Sequence, residues 1–372
     1  MKTEGKYSSA EKRWAGFGPY YAMFPTSFAD FVVSEYSNVG DTILDPFAGR
    51  GTSIFSSVIA GRKAIGMELN PVGWIYSQTK LSPSPKEKVL ARIKRIEARA
   101  DFHRKDAYAL PLFFRRCFSL EVRSFLLAAR SGLQWQTDPV DRTVMGFLLT
   151  HLHGKITDSL SNQMRQTKSM APNYAVEWWS KNNYQAPEID IEEFFEKKLQ
   201  WRYAKGVPKG ARGTVLLGDS VELTRTIRGK LGDYGVSRPA LIFTSPPYFG
   251  ITNYHYDQWI RLWLLGGCAT DRRTRTEFNG KHRGKFANLE VYRLMLTTVF
   301  SNSAKIARKD AVVYVRTDRR EPTVSETRGA LRIAFPDHRM RQVERPLKGK
   351  TQTELFGYAG PKAGEVDLIL TL

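Results

Sequence analysis

The apolar positions of this chain gather in short runs, each ending at an acidic, glycine-bearing or proline-bearing turn that leads into a helical pattern. "TILDPFAGRGT" (42–52), "KAIGMELNP" (63–71), "GTVLLGDSVEL" (213–223) and "LIFTSPPYFG" (241–250) share this form. Short strands of buried type separated by helical stretches predict a parallel sheet with helices on both faces. Ligands of such sheets collect outside the carboxyl ends of the strands, so the four turns belong to one candidate site. "DAVVYVRT" (310–317) supplies another strand, and "HRMRQVERPL" with "EVDLILTL" predicts a closing antiparallel pair. "NYHYDQWIRLWLLG" (253–266) has the spacing of an amphipathic helix.

The stretch between the second and third runs reads differently. It holds charged helical segments such as "SPKEKVLARIKRIEARADFHRK" and a polar, aromatic run, "SLSNQMRQTKSMAPNYAVEWWSKNNY". It is too long for an ordinary crossover, which predicts a subdomain inserted at 82–210 between two parts of a core, 1–81 and 211–372.

Charge narrows the partners. Lys and Arg number 57 against 37 Asp and Glu, a formal net charge of +20 on 372 residues. A polyanion is the expected partner, nucleic acid first and an anionic membrane second. No apolar segment approaches the roughly 18 residues of a membrane-spanning helix, and residues 1–10 lack the apolar centre of a signal peptide, so a soluble, intracellular protein is expected. Cys117 and Cys268 stand alone in sequence and read as reduced packing residues.

The turns carry candidate chemistry. In "DPFAGRGTS", Gly49 and Gly51 lie between a strand and a helix, where backbone N–H groups approach a ligand closely. Ile54 stands where a dinucleotide fingerprint needs its third glycine, and Asp45 beside a pyrophosphate would be repulsive. Beside an ammonium, Asp45 makes a charge-assisted hydrogen bond. Glu68, at the next strand end, suits ribose hydroxyls, and Asp219 suits an adenine amino group. Ammonium, diol and adenine together describe S-adenosyl-L-methionine. Each acid alone could equally cap a helix, and Asn70 before Pro71 has the form of an N-cap.

With "DPFAGRGT" and "TSPPY" the chain resembles the amino-methylating (cytosine-N4/adenine-N6) DNA methyltransferases. "MFPTSF" (23–28) is similar to the segment that precedes their glycine motif and closes over the methionine end of the cofactor. The resemblance covers roughly 20–80 and 213–320. It implies a Rossmann-like methyltransferase fold, α/β, with a mostly parallel seven-stranded sheet and an inserted target-recognition subdomain. It implies a cofactor site of Phe24, Pro25, Thr26, Asp45, Pro46, Phe47, Ala48, Gly49, Gly51, Thr52, Glu68, Asn70, Asp219, Ser220 and Thr244, and a catalytic turn of Ser245, Pro246, Pro247 and Tyr248. The glycine motif precedes the catalytic one, as in members that carry target recognition between the two. Serine in the first catalytic position resembles the cytosine-directed pattern; adenine or RNA bases are the neighbouring alternatives, and a non-catalytic binding relative is the alternative from another class. Double-stranded DNA is the implied partner, a restriction or defence system a compatible one, and a bacterial or archaeal cytoplasm, at the nucleoid, the implied location.

The resemblance gives that turn a chemistry its residues suit. A Pro-Pro pair ends the strand and stiffens the backbone. The Ser245 hydroxyl and the Pro246 carbonyl would accept from the amino group under attack, and Tyr248 would stack on a flipped base. His151 and His153 form H-x-H but lack further ligands nearby in sequence and read as packing, not metal ligands. Trp178 and Trp179 suit base stacking and subdomain packing equally. "DRRTRTEFNGKHRGK" (271–285) reads as a basic loop that meets phosphates.

Overall fold

The structure, a computed structural model, describes residues 9–20, 23–250, 254–267, 288–345 and 364–372. The run at 271–285 and Cys268 lie outside these residues. Two compact units divide the chain: Phe24–Leu69, Gly210–Thr252 and Lys285–Leu372 form one, while Met1–Met23, Asn70–Lys209 and Asn253–Gly284 form the other.

The first unit is built on one sheet. Its strands are β1 (Thr42–Asp45), β2 (Lys63–Glu68), β3 (Gly213–Leu217), β4 (Leu241–Thr244), β5 (Val312–Asp318), β6 (Arg339–Arg345) and β7 (Glu365–Thr371). They lie in the order β3-β2-β1-β4-β5-β7-β6. The β3 to β5 part is parallel, and β7 runs antiparallel to both β5 and β6. This is a Rossmann-like α/β architecture with the seven strands and the antiparallel closing pair that the sequence predicts.

Both faces of the central strands are covered, which is why β1, β2 and β4 read as apolar runs. On one face Leu44, Ile242, Val313, Val315 and Leu368 pack under the helices Leu289–Ile306 and Thr323–Ala334, with Phe300 and Leu331 fully buried. On the other, Ile43, Leu241, Phe243, Tyr314 and Ile369 pack under Ala29, Val32 and Val33 of the helix Thr26–Tyr36. Neighbouring residues of one strand thus serve opposite cores. Each fully buried Val, Leu, Ile or Phe contributes about 1.5–3 kcal/mol, so the sheet is a stiff base for its loops. From β1 the chain crosses to β2 on one side, while β4 lies on the other. That reversal opens a crevice at the carboxyl ends of β1 and β4.

The second unit is helical. Asn70, Ser119, Asp138 and Asp190 each cap a helix through a side-chain oxygen, starting Pro71–Leu81, Leu120–Gly132, Pro139–His151 and Ile191–Tyr203. It is wider than the stretch 82–210, because it takes in Pro71–Leu81 and residues on either side of the sheet segments. Residues 253–266 differ from the amphipathic helix expected of them. They form two short helices, Tyr254–Asp257 and Trp259–Leu264, the second buried on all sides. Arg261, in its centre, is tolerated because its guanidinium donates to the Leu149 carbonyl (2.9 Å), the Gln166 carbonyl (2.6 Å) and Gln258 (2.6 Å). Asp257 pairs with Lys168 at 2.8 Å, and Gln258 and Trp259 donate to the Thr167 and Met170 carbonyls. The polar run at 166–170 is therefore pinned along its backbone.

His151 and His153 are buried, and burial pushes the His151 ring down to about 3 and that of His153 well below its usual range. Trp179 is fully buried and donates to the Gln163 carbonyl at 2.6 Å, whereas Trp178 stacks on Tyr184. Cys117 is buried and free. Among the described residues no helix is long and apolar enough to cross a membrane, and no group of three or more His, Cys, Asp or Glu could hold a metal ion.

Candidate active site

Four strand ends of the sheet unit are knitted together by hydrogen bonds that no single motif predicts. Thr244, the last residue of β4, donates to Asp45 at the end of β1 (2.5 Å). Ser220, after β3, donates to the Pro46 carbonyl. The Ala48 N–H donates to the Met67 carbonyl on β2 (2.9 Å), and Gly218 donates to the Glu68 carbonyl (2.9 Å). The loops after β1, β2, β3 and β4 are thereby held as one surface.

Asp45 is the centre of this network. It is 1% exposed and accepts from the Phe47 N–H at 3.0 Å, from Thr244 and from Ser53. Burial nevertheless raises its carboxyl to about 6, against the opposing pull of those three donors. A carboxylate has about four acceptor positions, so it can take a fourth donor. The electrostatically preferred donor is a cation, which would recover the solvation that burial removed. Ser53 was not among the sequence candidates; a buried acid at a strand end needs nearby hydroxyl donors, and the first turn of the following helix is where they can stand.

The glycine loop wraps this acid. Gly49 has φ 55° and Gly51 has φ 71°, left-handed values that a side chain disfavours. Gly51 then caps Thr52–Ile59, whose first residue, Thr52, is buried. Gly66 on β2 is the passive half of the arrangement. A Cβ there would lie 2.9 Å from Ile54 Cγ1 and 3.0 Å from Ala48 Cβ, so its absence lets loop and helix sit down on the strand.

The other candidates fall into place differently. Phe24 stacks on Phe243 with centroids 4.9 Å apart, and Pro25 and Thr26 begin the helix Thr26–Tyr36 beside β4. Asp219 accepts from the Val221 N–H at 2.9 Å, capping Ser220–Thr226. Asn70 accepts from the Val72 N–H at 3.0 Å, as an N-cap does, and belongs to the helical unit. Glu68 ends β2, two residues earlier.

Ser245–Tyr248 leave β4 outside any helix or strand. Tyr292, buried on the helix Leu289–Ile306, donates to the Pro247 carbonyl at 2.9 Å, and the Phe249 N–H donates to Thr323 at 3.2 Å. Ser245 Oγ lies 3.5 Å from Tyr248 Oη, which in turn donates to Glu365 at 3.3 Å. Tyr292, Thr323 and Glu365 come from helices and a strand far along the chain, and nothing in the sequence near the turn announces them. The turn is pinned before it by Thr244 on Asp45 and after it at Pro247 and Phe249, with the Pro246 carbonyl and the Ser245 hydroxyl between these pins.

A family model described as DNA methylase matches residues 2–72, which include the glycine loop but not Ser245–Tyr248. The Type II methyltransferase M.MjaII of Methanocaldococcus jannaschii is 32% identical over 66 residues, 18% of this chain and 12% of that protein. M.MthZI of Methanothermobacter thermautotrophicus, also a Type II methyltransferase, is 43% identical over 49 residues, 13% of this chain and 14% of that protein. These matches span only 12% and 14% of the relatives' own length. Among solved structures, the rRNA methyltransferase aviRa from Streptomyces viridochromogenes is 10% identical with a TM-score of 0.36, covering 100% of this chain and 93% of that one. That likeness is too weak to bear on the substrate.

Proposed function

We propose that this chain is an S-adenosyl-L-methionine-dependent DNA methyltransferase that modifies an exocyclic amino group, with the cytosine N4 nitrogen as its target. The observation that carries the reading is the joining of the Ser-Pro-Pro-Tyr strand end to the buried acid of the glycine loop through Thr244 and Asp45. The likeness of the N-terminal part to DNA methylases supports the same class. When bound, the cofactor supplies an electrophilic methyl group on a sulfonium.

The protein's share is binding and alignment. Asp45 holds the ammonium, the backbone of Gly49 and Gly51 allows close approach, Glu68 takes the ribose hydroxyls, and Asp219 takes the adenine amino group. Phe24, Pro25 and Thr26 cover the methionine end. An exocyclic amino group is a poor nucleophile because its lone pair is delocalised into the ring. Acceptors fixed on its hydrogens favour the pyramidal form and stabilise the transition state. Ser245 Oγ and the Pro246 carbonyl are assigned as those acceptors, while the neighbouring Pro247 carbonyl already accepts from Tyr292. Tyr248 stacks on the flipped base, and the helical unit with its pinned 166–170 segment reads the duplex. Restriction or defence proteins are compatible partners.

Purified protein given tritiated S-adenosyl-L-methionine with DNA or RNA tests this directly. Label in duplex DNA that is lost in Ser245→Ala is expected. Label in RNA alone would overturn the substrate, and none in either would overturn the activity.

A further inference from the structure

The sheet unit carries a polar chain that the proposed chemistry does not use. β5 and β7 pair with Arg316 opposite Asp367 and Asp318 opposite Glu365. Arg316 donates to Asp367 at 2.7 and 3.0 Å, and Tyr314 donates to the same carboxylate at 2.7 Å. Asp367 is 0% exposed, and the guanidinium lies over the Phe28 ring, 3.4 Å from its centroid. The remaining arm of Arg316, Nη1, stands 3.5 Å from Glu365 Oε2, and the other oxygen of Glu365 receives the Tyr248 hydroxyl.

An ion network that only held β7 against β5 would be complete at Arg316 and Asp367, where every bond is short and buried. Glu365 extends it along the same face of β7 to the strand end beside the catalytic turn. The buried Arg316–Asp367 pair is the rigid part, and Glu365, its side chain 44% exposed, carries that hold outward to the Tyr248 hydroxyl, which is what an aromatic ring needs if it is to meet a base in one orientation. The 3.3 Å contact is long, as bonds at such sites often are before substrate tightens them.

We infer that Glu365 is a positioning residue that fixes the Tyr248 ring through its hydroxyl, anchored in turn by Arg316 and Asp367. The inference rests on the proposed methyl transfer at the Ser-Pro-Pro-Tyr turn.

Its test compares Glu365→Ala, Glu365→Gln and Tyr248→Phe. Removing the acceptor is expected to lower kcat about tenfold with KM for S-adenosyl-L-methionine unchanged. Glutamine keeps an acceptor oxygen and should restore most of the lost rate. Glu365→Ala in a Tyr248→Phe background should cost little more, since the bond is already gone. Additive losses, or an unchanged kcat in Glu365→Ala, would overturn the inference. A second measurement does not need turnover. In protein labelled with 3-fluorotyrosine, the resonance missing from Tyr248→Phe should shift in Glu365→Ala and return in Glu365→Gln; a resonance that stays put in Glu365→Ala overturns the positioning role. If the wild type methylates no DNA, the proposed function fails, while the fluorine signal still decides whether Glu365 holds Tyr248.

Discussion

Replacing Asp45 with asparagine separates what this acid does for the fold from what it does for a ligand. The amide can keep all three existing contacts: its oxygen accepts from the Phe47 N–H and Thr244, and its NH₂ turns the Ser53 hydroxyl into an acceptor. What it removes is a buried charge. Burial raises the Asp45 carboxyl from 3.8 to about 6, so between those values the folded chain binds more protons than the unfolded one. Stability therefore falls as pH rises through that window, and above it the full difference of about 3 kcal/mol persists. Asp45→Asn should be more stable than the wild type at pH 7.5 without ligand, with the advantage gone below about pH 4.

Cofactor binding should change in the opposite sense. An ammonium beside Asp45 favours the carboxylate, so wild-type affinity should tighten as pH rises through 6, with up to one proton released. A charge-assisted hydrogen bond contributes about 1.5–3 kcal/mol, so Asp45→Asn should weaken binding by about 10- to 150-fold at pH 7. Denaturant titrations at pH 5 and 7.5 give the first effect, and calorimetry in two buffers of different ionisation enthalpy gives the second. Affinity that is flat with pH and indifferent to the substitution would refute the ammonium site. A wild type that gains stability between pH 4 and 6 would refute the cost of burying the charge.

Gly66→Ala should destabilise the sheet unit by about 1–3 kcal/mol in denaturant titration, because its Cβ has to displace Ile54 and the Ala48 end of the glycine loop. Tyr292→Phe should cost about 1 kcal/mol and slow methyl transfer more than it weakens cofactor binding, since it frees the Pro247 carbonyl; rates and affinities measured on the same preparation check this. DNA affinity should fall by about 0.9 log units per phosphate contact for each tenfold rise in salt, and a titration with a flat salt response would contradict phosphate binding.

The central strands were legible because buried parallel strands must be apolar on both faces, and β1, β2 and β4 each read as such a run, whereas β3, at the sheet edge, buries only Val215. The terminal pair was legible for the same reason in β7, whose residues 366–370 are all buried. The buried helix Trp259–Leu264 was misread because Arg261 marked a polar face; two of its three acceptors, the Leu149 and Gln166 carbonyls, lie on segments whose approach cannot be read locally. In the site, Asp45, Thr244, Pro46 and Ser220 announced themselves as strand-end residues. Asp219 and Asn70 carried an ambiguous signal, since an oxygen at a strand end caps the next helix whether or not it also meets a ligand. Ser53, Tyr292 and Glu365 were silent because their roles arise from packing between elements that are distant in sequence.

The most direct measurement is mass spectrometry of nucleosides from unmethylated duplex DNA incubated with the purified protein and S-adenosyl-L-methionine carrying a trideuterated methyl group. The expected product is N4-methylcytidine of the deoxy series, heavier by the labelled methyl, and absent when Ser245→Ala or Tyr248→Ala replaces the wild type. N6-methyladenine as the sole product would move the target from cytosine to adenine and leave the turn's chemistry standing. Unlabelled DNA after prolonged incubation, from protein shown to bind the cofactor, would contradict methyl transfer to DNA itself.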